Sequence, residues 1–375
     1  MKKVSKIKIK PKFSIFLKIF CFFICLSLGF FLFYCKQIHD LTSLEYSKEA
    51  SKNILFSFKK DYILSVGKNE TLNAAFESKY YDENYLDNYR KIHYVSHKRL
   101  ILHINRLLKK GYSNSDINII LSHGNDEAVE RFTERDKVKY LEEFFSVPYA
   151  KLDNYDRYVS YSDETGEDEE DTVLFVNLDL DKEDYNDSTL VEKFSFDMLV
   201  NKHHHLSSDF EPNDLVVIDK KYASEEGFLC NSEALAAYIK MSQKAFEEGY
   251  QIVINSAYRS YQDQEAVVND YLKAYGQSYV DKYVAKPGYS EHQTGLAFDI
   301  GSKNVSVFLN SKEYKWMLEH AYEYGFIHRF SKSGENITGF RNEPWHYRYV
   351  GEKAAKYIYD NKLTLEEYWA IFLDK

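Results

Sequence analysis

Apolar residues dominate one stretch of this chain and then give way to amphipathic patterns whose period changes about halfway along. Residues 19–35, IFCFFICLSLGFFLFYC, are uncharged throughout, and the run extends back to Phe13 if the stem of Lys18 carries its ammonium out to water. A helix over 13–35 is long enough to cross a bilayer core of roughly 30 Å. Lys2, Lys3, Lys6, Lys8, Lys10 and Lys12 crowd its N-terminal side, which predicts a cytoplasmic tail over 1–12 and an external location for everything past about residue 37. No small-x-small cleavage site follows the run, and Tyr34 and Ile24, not small residues, precede Cys35 and Cys25. The expectation is an uncleaved, single-pass membrane anchor.

Residues 36–90 are polar, with short apolar patches at 54–58 and 62–66, and read as a stalk holding a strand or two. Between 97 and 110 the apolar positions Leu100, Ile101, Ile104, Leu107 and Leu108 recur with a helical period, and Gly111 stops it. Ser113 or Ser115 is placed to cap a second helix that closes near Gly124, and a third helical stretch covers 128–145. Seven of the ten residues from 162 to 171 are acidic, without the spaced ligands and central glycine of an EF-hand, and read as a solvated loop. The following TVLFVNLDL, 172–180, reads as a strand. Residues 91–200 are therefore expected to form a mainly helical module with an acidic loop and a strand.

The pattern changes after residue 200. His203, His204 and His205 are consecutive, so they cannot converge on one ion from a strand, and they read as the lead-in to a second domain over 201–375. Pro212 marks an irregular connection. From 214 onward strands are expected at 215–219, 251–258, 296–300, 326–330 and 345–350. Helices are expected at 232–248, 261–275 and from Ser311 to 324, followed by two short helices, the last opened by Thr364 and Glu367 in capping-box spacing. This order predicts an α+β domain.

Composition adds two constraints. The net charge of −9 includes eight lysines and no acid within the first 36 residues, so the rest of the chain carries −17. A face that acidic excludes a nucleic-acid partner, which would need a basic surface. Of four cysteines, Cys21, Cys25 and Cys35 belong to the apolar segment and only Cys230 lies beyond it, so the external part has no internal disulfide and no cysteine-rich metal site. The 33 tyrosines are read as a reflection of coding-base composition, not as an aromatic binding surface.

The candidate chemistry sits in two segments. SEHQTGLAFD, residues 290–299, places His292 on a loop and Asp299 on the strand after a turn, with Gly295 between them. Alone, that pair reads equally well as a surface histidine and a turn-associated aspartate. NEPWHYRYVG, 342–351, changes this by adding His346 with Glu343 three residues before it. Two histidines and an aspartate close three sides of a zinc tetrahedron and leave the fourth open to water, the arrangement of a catalytic site. A carboxylate beside that water supplies a base. Trp345 is read as packing, and His328 as a packed or exposed residue without a role in the site.

These segments resemble the Ser-x-His-x-x-Gly-x-x-x-Asp and Glu-x-x-His patterns of the VanY-type zinc D-alanyl-D-alanine carboxypeptidases, and SAYRSYQDQ, 256–264, is similar to a third block of that family. The resemblance covers about residues 200–360. It implies a mixed or antiparallel sheet with helices around a zinc site, a DD-peptidase or hedgehog-like fold. It implies His292, Asp299 and His346 as zinc ligands, Glu343 as general base and acid, Arg259 as the cation that meets the substrate, and Gln264 and Ser290 as orienting groups. A guanidinium suits a terminal carboxylate because it binds it through two parallel hydrogen bonds. The implied activity is removal of a terminal D-alanine from peptidoglycan stem peptides outside the cell. An endopeptidase or D,D-dipeptidase would use the same scaffold, and a non-catalytic wall-binding protein would have no need of a base at Glu343.

Overall fold

In a computed structural model, residues 11–374 are described, so most of the tail expected over 1–12 lies outside the described residues. The chain divides into two compact units, Met1–Ser146 with Lys151–Asp153, and Val147–Ala150 with Asn154–Lys375.

The first unit is helical among its described residues. Helix Pro11–Thr42 opens it, and Ile15–Thr42 is long and apolar enough to be a candidate membrane span or signal sequence, with its apolar side chains exposed. Where a stalk with strands is expected, the chain instead forms helices Lys48–Phe56, Lys60–Val66, Glu70–Glu77 and Leu86–Lys91. Caps explain the difference: Ser47 Oγ accepts the Ala50 N–H at 3.0 Å and Asn69 Oδ1 accepts the Leu72 N–H at 2.8 Å. Ala50 and Ile54, one turn apart, are buried together, a helical spacing that a short apolar run hides. Helices Leu100–Lys109 and Asn114–His123 follow as read, the second opened by a Ser113–Asp116 capping box. The third stretch is two helices, Asp126–Glu134 and Leu141–Phe144, interrupted before Tyr140, whose φ of 60° is left-handed.

In the second unit, residues 172–180 are not a strand. Helix Glu169–Asn177 takes 172–177 and a turn takes 178–180, because Asp168 caps the helix through the Asp171 N–H at 3.0 Å and Glu169, Glu170 and Asp171 meet the positive end of the helix dipole. The acidic run is accordingly not one loop: it closes helix Tyr155–Thr165 and opens the next, on either side of Gly166 at φ 73°. Two small pairings lead into the main sheet, β1 (Thr189–Leu190) parallel to β2 (His204–His205), and β3 (Leu215–Val217) antiparallel to β4 (Leu229–Asn231).

The main sheet comprises β5 (Ile252–Ser256), β6 (Ala297–Ser302), β7 (Phe326–His328) and β8 (His346–Tyr349), in the order β5-β6-β8-β7 with every pair antiparallel. Alternation along each strand separates two faces. Phe298 and Ile300 on β6 and Tyr347 and Tyr349 on β8 turn toward helix Ser232–Glu247, which buries Ala234, Tyr238, Met241 and Ala245 at three- and four-residue spacing. Tyr238 meets Phe298 edge-on, centroids 5.8 Å apart, and each such buried side chain contributes roughly 1.5–3 kcal/mol. Asp299 on β6 and His346 and Arg348 on β8 point to the other face.

The turn before β6 is fixed by Gly295, left-handed at φ 70°, whose carbonyl accepts the Asn231 N–H at 2.9 Å. A Cβ there would stand 2.9 Å from Leu215 Cδ2 and 3.2 Å from Asn231 N, in a conformation that L-residues avoid. Gly295→Ala is expected to lower stability by about 1–3 kcal/mol, read from the denaturant midpoint, and an unchanged midpoint would contradict this account of the turn.

Candidate metal centre and active-site cleft

Strand register assembles the centre. Asp299 lies directly opposite His346 across β6 and β8, and His292 reaches them from the 3₁₀ turn Glu291–Thr294. Asp299 Oδ1 is 3.4 Å from His292 Nε2 and 3.3 Å from His346 Nδ1, and the three donor atoms lie within 4.8 Å of one another. His292 Nδ1 lies 2.6 Å from the Ala257 carbonyl, to which it can only donate, so in the neutral ring Nε2 presents a bare lone pair to the carboxylate. His292 Nε2 and Asp299 Oδ1 are buried and have no hydrogen-bond partner among the described residues. Two facing acceptors that are both buried are costly unless a cation sits between them, and an N, N, O donor set with an open side suits zinc.

The local field points the same way. Burial and Arg259 hold His292 down at about 4, so it stays neutral. Burial opposes a charge on His346, yet Asp299, Glu291 and Glu343 together push it up to about 9, which marks the position of its ring as one that favours positive charge.

Glu343 stands beside the donors, its Oε2 3.7 Å from His346 Nδ1. Burial pushes its carboxyl up to about 7; His346 opposes that rise, and Asp299 adds to it. Its backbone is pinned, with its N–H on the Phe330 carbonyl at 3.0 Å and its carbonyl accepting the His346 N–H at 3.1 Å. His328 reaches the same carbonyl through Nε2 at 3.1 Å, and burial lowers it to about 4, so it donates as a neutral ring. His328 therefore supports the loop that carries Glu343, a role the sequence reading did not give it.

Sequence reasoning passed over Glu291, between Ser290 and His292. It is buried, and its Oε2 lies 3.3 Å from His346 Nε2, which turns Nδ1 toward Asp299. Its Oε1 accepts from Arg329 Nε at 2.7 Å and Arg348 Nη1 at 3.0 Å. Burial would raise this carboxyl, but the two guanidiniums and His346 outweigh it and hold it well below the usual range. Its sequence signal is weak: one acid at an unspecified position of the Ser-x-His pattern, whose partners lie 38 and 57 residues away.

A cleft of about 220 Å³ opens onto the three donors and Glu343, and Arg259, Gln264 and Ser290 line it. All seven residues singled out from the sequence thus meet in one place. Arg259 Nε and Gln264 Oε1 are buried without a hydrogen-bond partner among the described residues, while Gln264 Nε2 donates to the Ala285 carbonyl at 2.8 Å. Trp345, read as packing, is instead 44% exposed and sits in the cleft wall. Tyr271, Tyr279 and Tyr283 form another part of the wall, and the Tyr279 ring lies 4.7 Å from those of both Tyr275 and Tyr283. The tyrosines are thus not only a compositional bias. Because His292 Nε2 and Asp299 Oδ1 lack partners among the described residues, adding zinc to metal-free protein is expected to raise the melting temperature. The increment should be lost in His346→Ala, and equal increments in both proteins would remove His346 from the donor set.

A family model described as VanY, D-alanyl-D-alanine carboxypeptidase, matches residues 228–352. The YodJ protein of Bacillus subtilis (strain 168) is 44% identical over 179 residues, which is 46% of this chain and 66% of that protein. A D-alanyl-D-alanine carboxypeptidase of Enterococcus faecalis (strain ATCC 700802 / V583) is 39% identical over 130 residues, 32% of this chain and 48% of that protein. The similarity to these two therefore spans less than two thirds of their length. The bifunctional D-Ala-D-Ala dipeptidase and D-Ala-D-Ala carboxypeptidase VanXYC of Enterococcus gallinarum is 33% identical over 177 residues, 45% of this chain and 91% of that protein. Among solved structures, that of the LdcB LD-carboxypeptidase is similar at 40% identity, covering 50% of this chain and 91% of its own, with a TM-score of 0.46. With the matched segment holding every cleft residue from Arg259 to His346, and one relative matched over nearly its whole length, this chain belongs to the VanY family of D-alanyl-D-alanine carboxypeptidases.

Proposed function

We propose that the chain is a zinc carboxypeptidase that removes a terminal D-alanine from peptidoglycan stem peptides. The observation that carries this reading is the convergence, in one cleft, of three metal donors, a carboxyl near neutrality and a guanidinium with a free face. His292 Nε2, Asp299 and His346 Nδ1 would hold the metal. A bound zinc ion supplies Lewis-acid polarisation of the scissile carbonyl and acidifies water.

The chain's own residues do the rest. Glu343, pushed up to about 7, is matched to taking a proton from the attacking water and returning it to the leaving amine at neutral pH. Arg259 offers its fork to the substrate's terminal carboxylate, and its buried Nε lacks any other partner among the described residues. Gln264 and Ser290 lie beside it to orient the peptide. The fold would be the DD-peptidase, hedgehog-like arrangement, with the zinc site on the polar face of the sheet. The helix from Ile15 would tether the enzyme to the cell membrane, with the lysine-rich N-terminus in the cytoplasm and the catalytic unit outside, facing peptidoglycan.

Incubation of the zinc-loaded protein with a stem pentapeptide, a stem tetrapeptide, a cross-linked muropeptide and free D-Ala-D-Ala, with products weighed by mass spectrometry, tests the reading. Loss of a single terminal D-alanine from a stem peptide is expected. Cleavage confined to the cross-link or the free dipeptide would assign the same site to an endopeptidase or a dipeptidase. Glu343→Gln should keep its zinc and lose about 10²–10⁴ in kcat, and a fully active Glu343→Gln would contradict the assigned base.

A further inference from the structure

Behind the metal centre lies a buried chain of charges that reaches the last helix of the protein. Glu291 Oε1 accepts from two guanidiniums, those of Arg329 and Arg348, while its Oε2 faces His346 Nε2. Both arginine side chains are fully buried. Arg348 directs its other donors to the backbone carbonyls of Phe196, Met198 and Tyr349, none of which carries charge. Asp197 attracts Arg348 from farther off, but two guanidiniums on one carboxylate leave Arg329 without a charge partner of its own in the interior, behind a site suited to another cation.

Glu366 supplies the missing negative charge. It lies in helix Leu365–Phe372, outside the family-matched residues 228–352, and is fully buried. Its two oxygens take Arg329 Nη1 at 2.8 Å and Nη2 at 2.5 Å, fork to fork, which leaves Arg329 Nε aimed at Glu291. Asn201 Nδ2 donates to the same carboxylate at 3.3 Å, and Asn201 Oδ1 accepts the backbone N–H groups of His203 and His204 at 2.9 and 3.0 Å. The register is set from the helix end as well: the Thr364–Glu367 capping box fixes the first turn, where Glu366 stands.

We infer that Glu366 is a positioning residue for the metal centre: by neutralising and orienting Arg329, it leaves the charge of Glu291 free to hold His346 with Nδ1 facing the metal. This rests on the zinc reading proposed above. Glu366 touches neither substrate nor metal donors, so its effect should appear in metal affinity and not in substrate recognition.

The experiment measures zinc dissociation constants by competition with a chromophoric chelator on the full chain, for wild type, Glu366→Gln and the double variant Arg329→Met with Glu366→Met. Glu366→Gln is expected to weaken zinc binding about 10- to 100-fold, as loss of a partner behind a metal ligand does, with an unchanged KM for the stem peptide at saturating zinc. The double variant removes both charges and should recover most of the affinity. Wild-type affinity in Glu366→Gln would overturn the inference, and so would a double variant that binds no better than Glu366→Gln. If Glu366→Gln alone does not fold, a folded, zinc-binding double variant supports the charge-balance role, and a double variant that also fails overturns it. A wild-type chain that bound no zinc would instead defeat the zinc reading itself, and this inference with it.

Discussion

The pairing of Asp299 with His346 across two antiparallel strands is the constraint on which the rest of the site depends. Side chains alternate along a strand, so a slip of β6 by one residue against β8 would turn Asp299 into the core, bring Phe298 out and leave His346 without its partner. The core therefore enforces the chemistry: burying Phe298, Ile300, Tyr347 and Tyr349 on one face obliges Asp299, His346 and Arg348 to share the other. His292 enters the same face because Gly295 turns the chain back into β6 within a few residues.

That polar face is organised in layers of charge. Lining the cleft, Asp299 and Glu343 make a field that favours a cation and attract the guanidinium of Arg259. Behind His346, Glu291, Arg329, Arg348 and Glu366 form a hydrogen-bonded set of two anions and two cations, closed to solvent. Buried ion pairs of this kind add little to stability compared with apolar packing, so their value here is in fixing geometry. His328 performs a related task without charge, donating as a neutral ring to the backbone of Glu343.

Much of this was legible in the sequence because the informative residues are local. The spacing from Ser290 to Asp299, the Glu343-to-His346 interval and the alternating strand patterns are each contained in about ten residues, and their geometry follows from the turn and strand between them. What was not legible depends on distant partners or on caps. Glu291 and Glu366 look like ordinary acids until the fold brings Arg329 between them. The helix at Glu169–Asn177 was mistaken for a strand because its apolar stretch is short, and the deciding information lay in Asp168 and the acidic first turn. Trp345 lines the cleft instead of packing, because whether a large aromatic is buried or exposed depends on which neighbours the fold supplies.

On the proposed function, His292, Asp299 and His346 would hold one zinc ion through the atoms that face one another in the fold. A crystal structure of the zinc-loaded protein, with anomalous scattering recorded on both sides of the zinc absorption edge, tests it most directly. One peak is predicted between the three side chains, about 2.0–2.2 Å from His292 Nε2, His346 Nδ1 and an Asp299 oxygen, with its fourth side open to the cleft. A peak elsewhere, or one coordinated through His346 Nε2 with Glu291 displaced, would contradict the account.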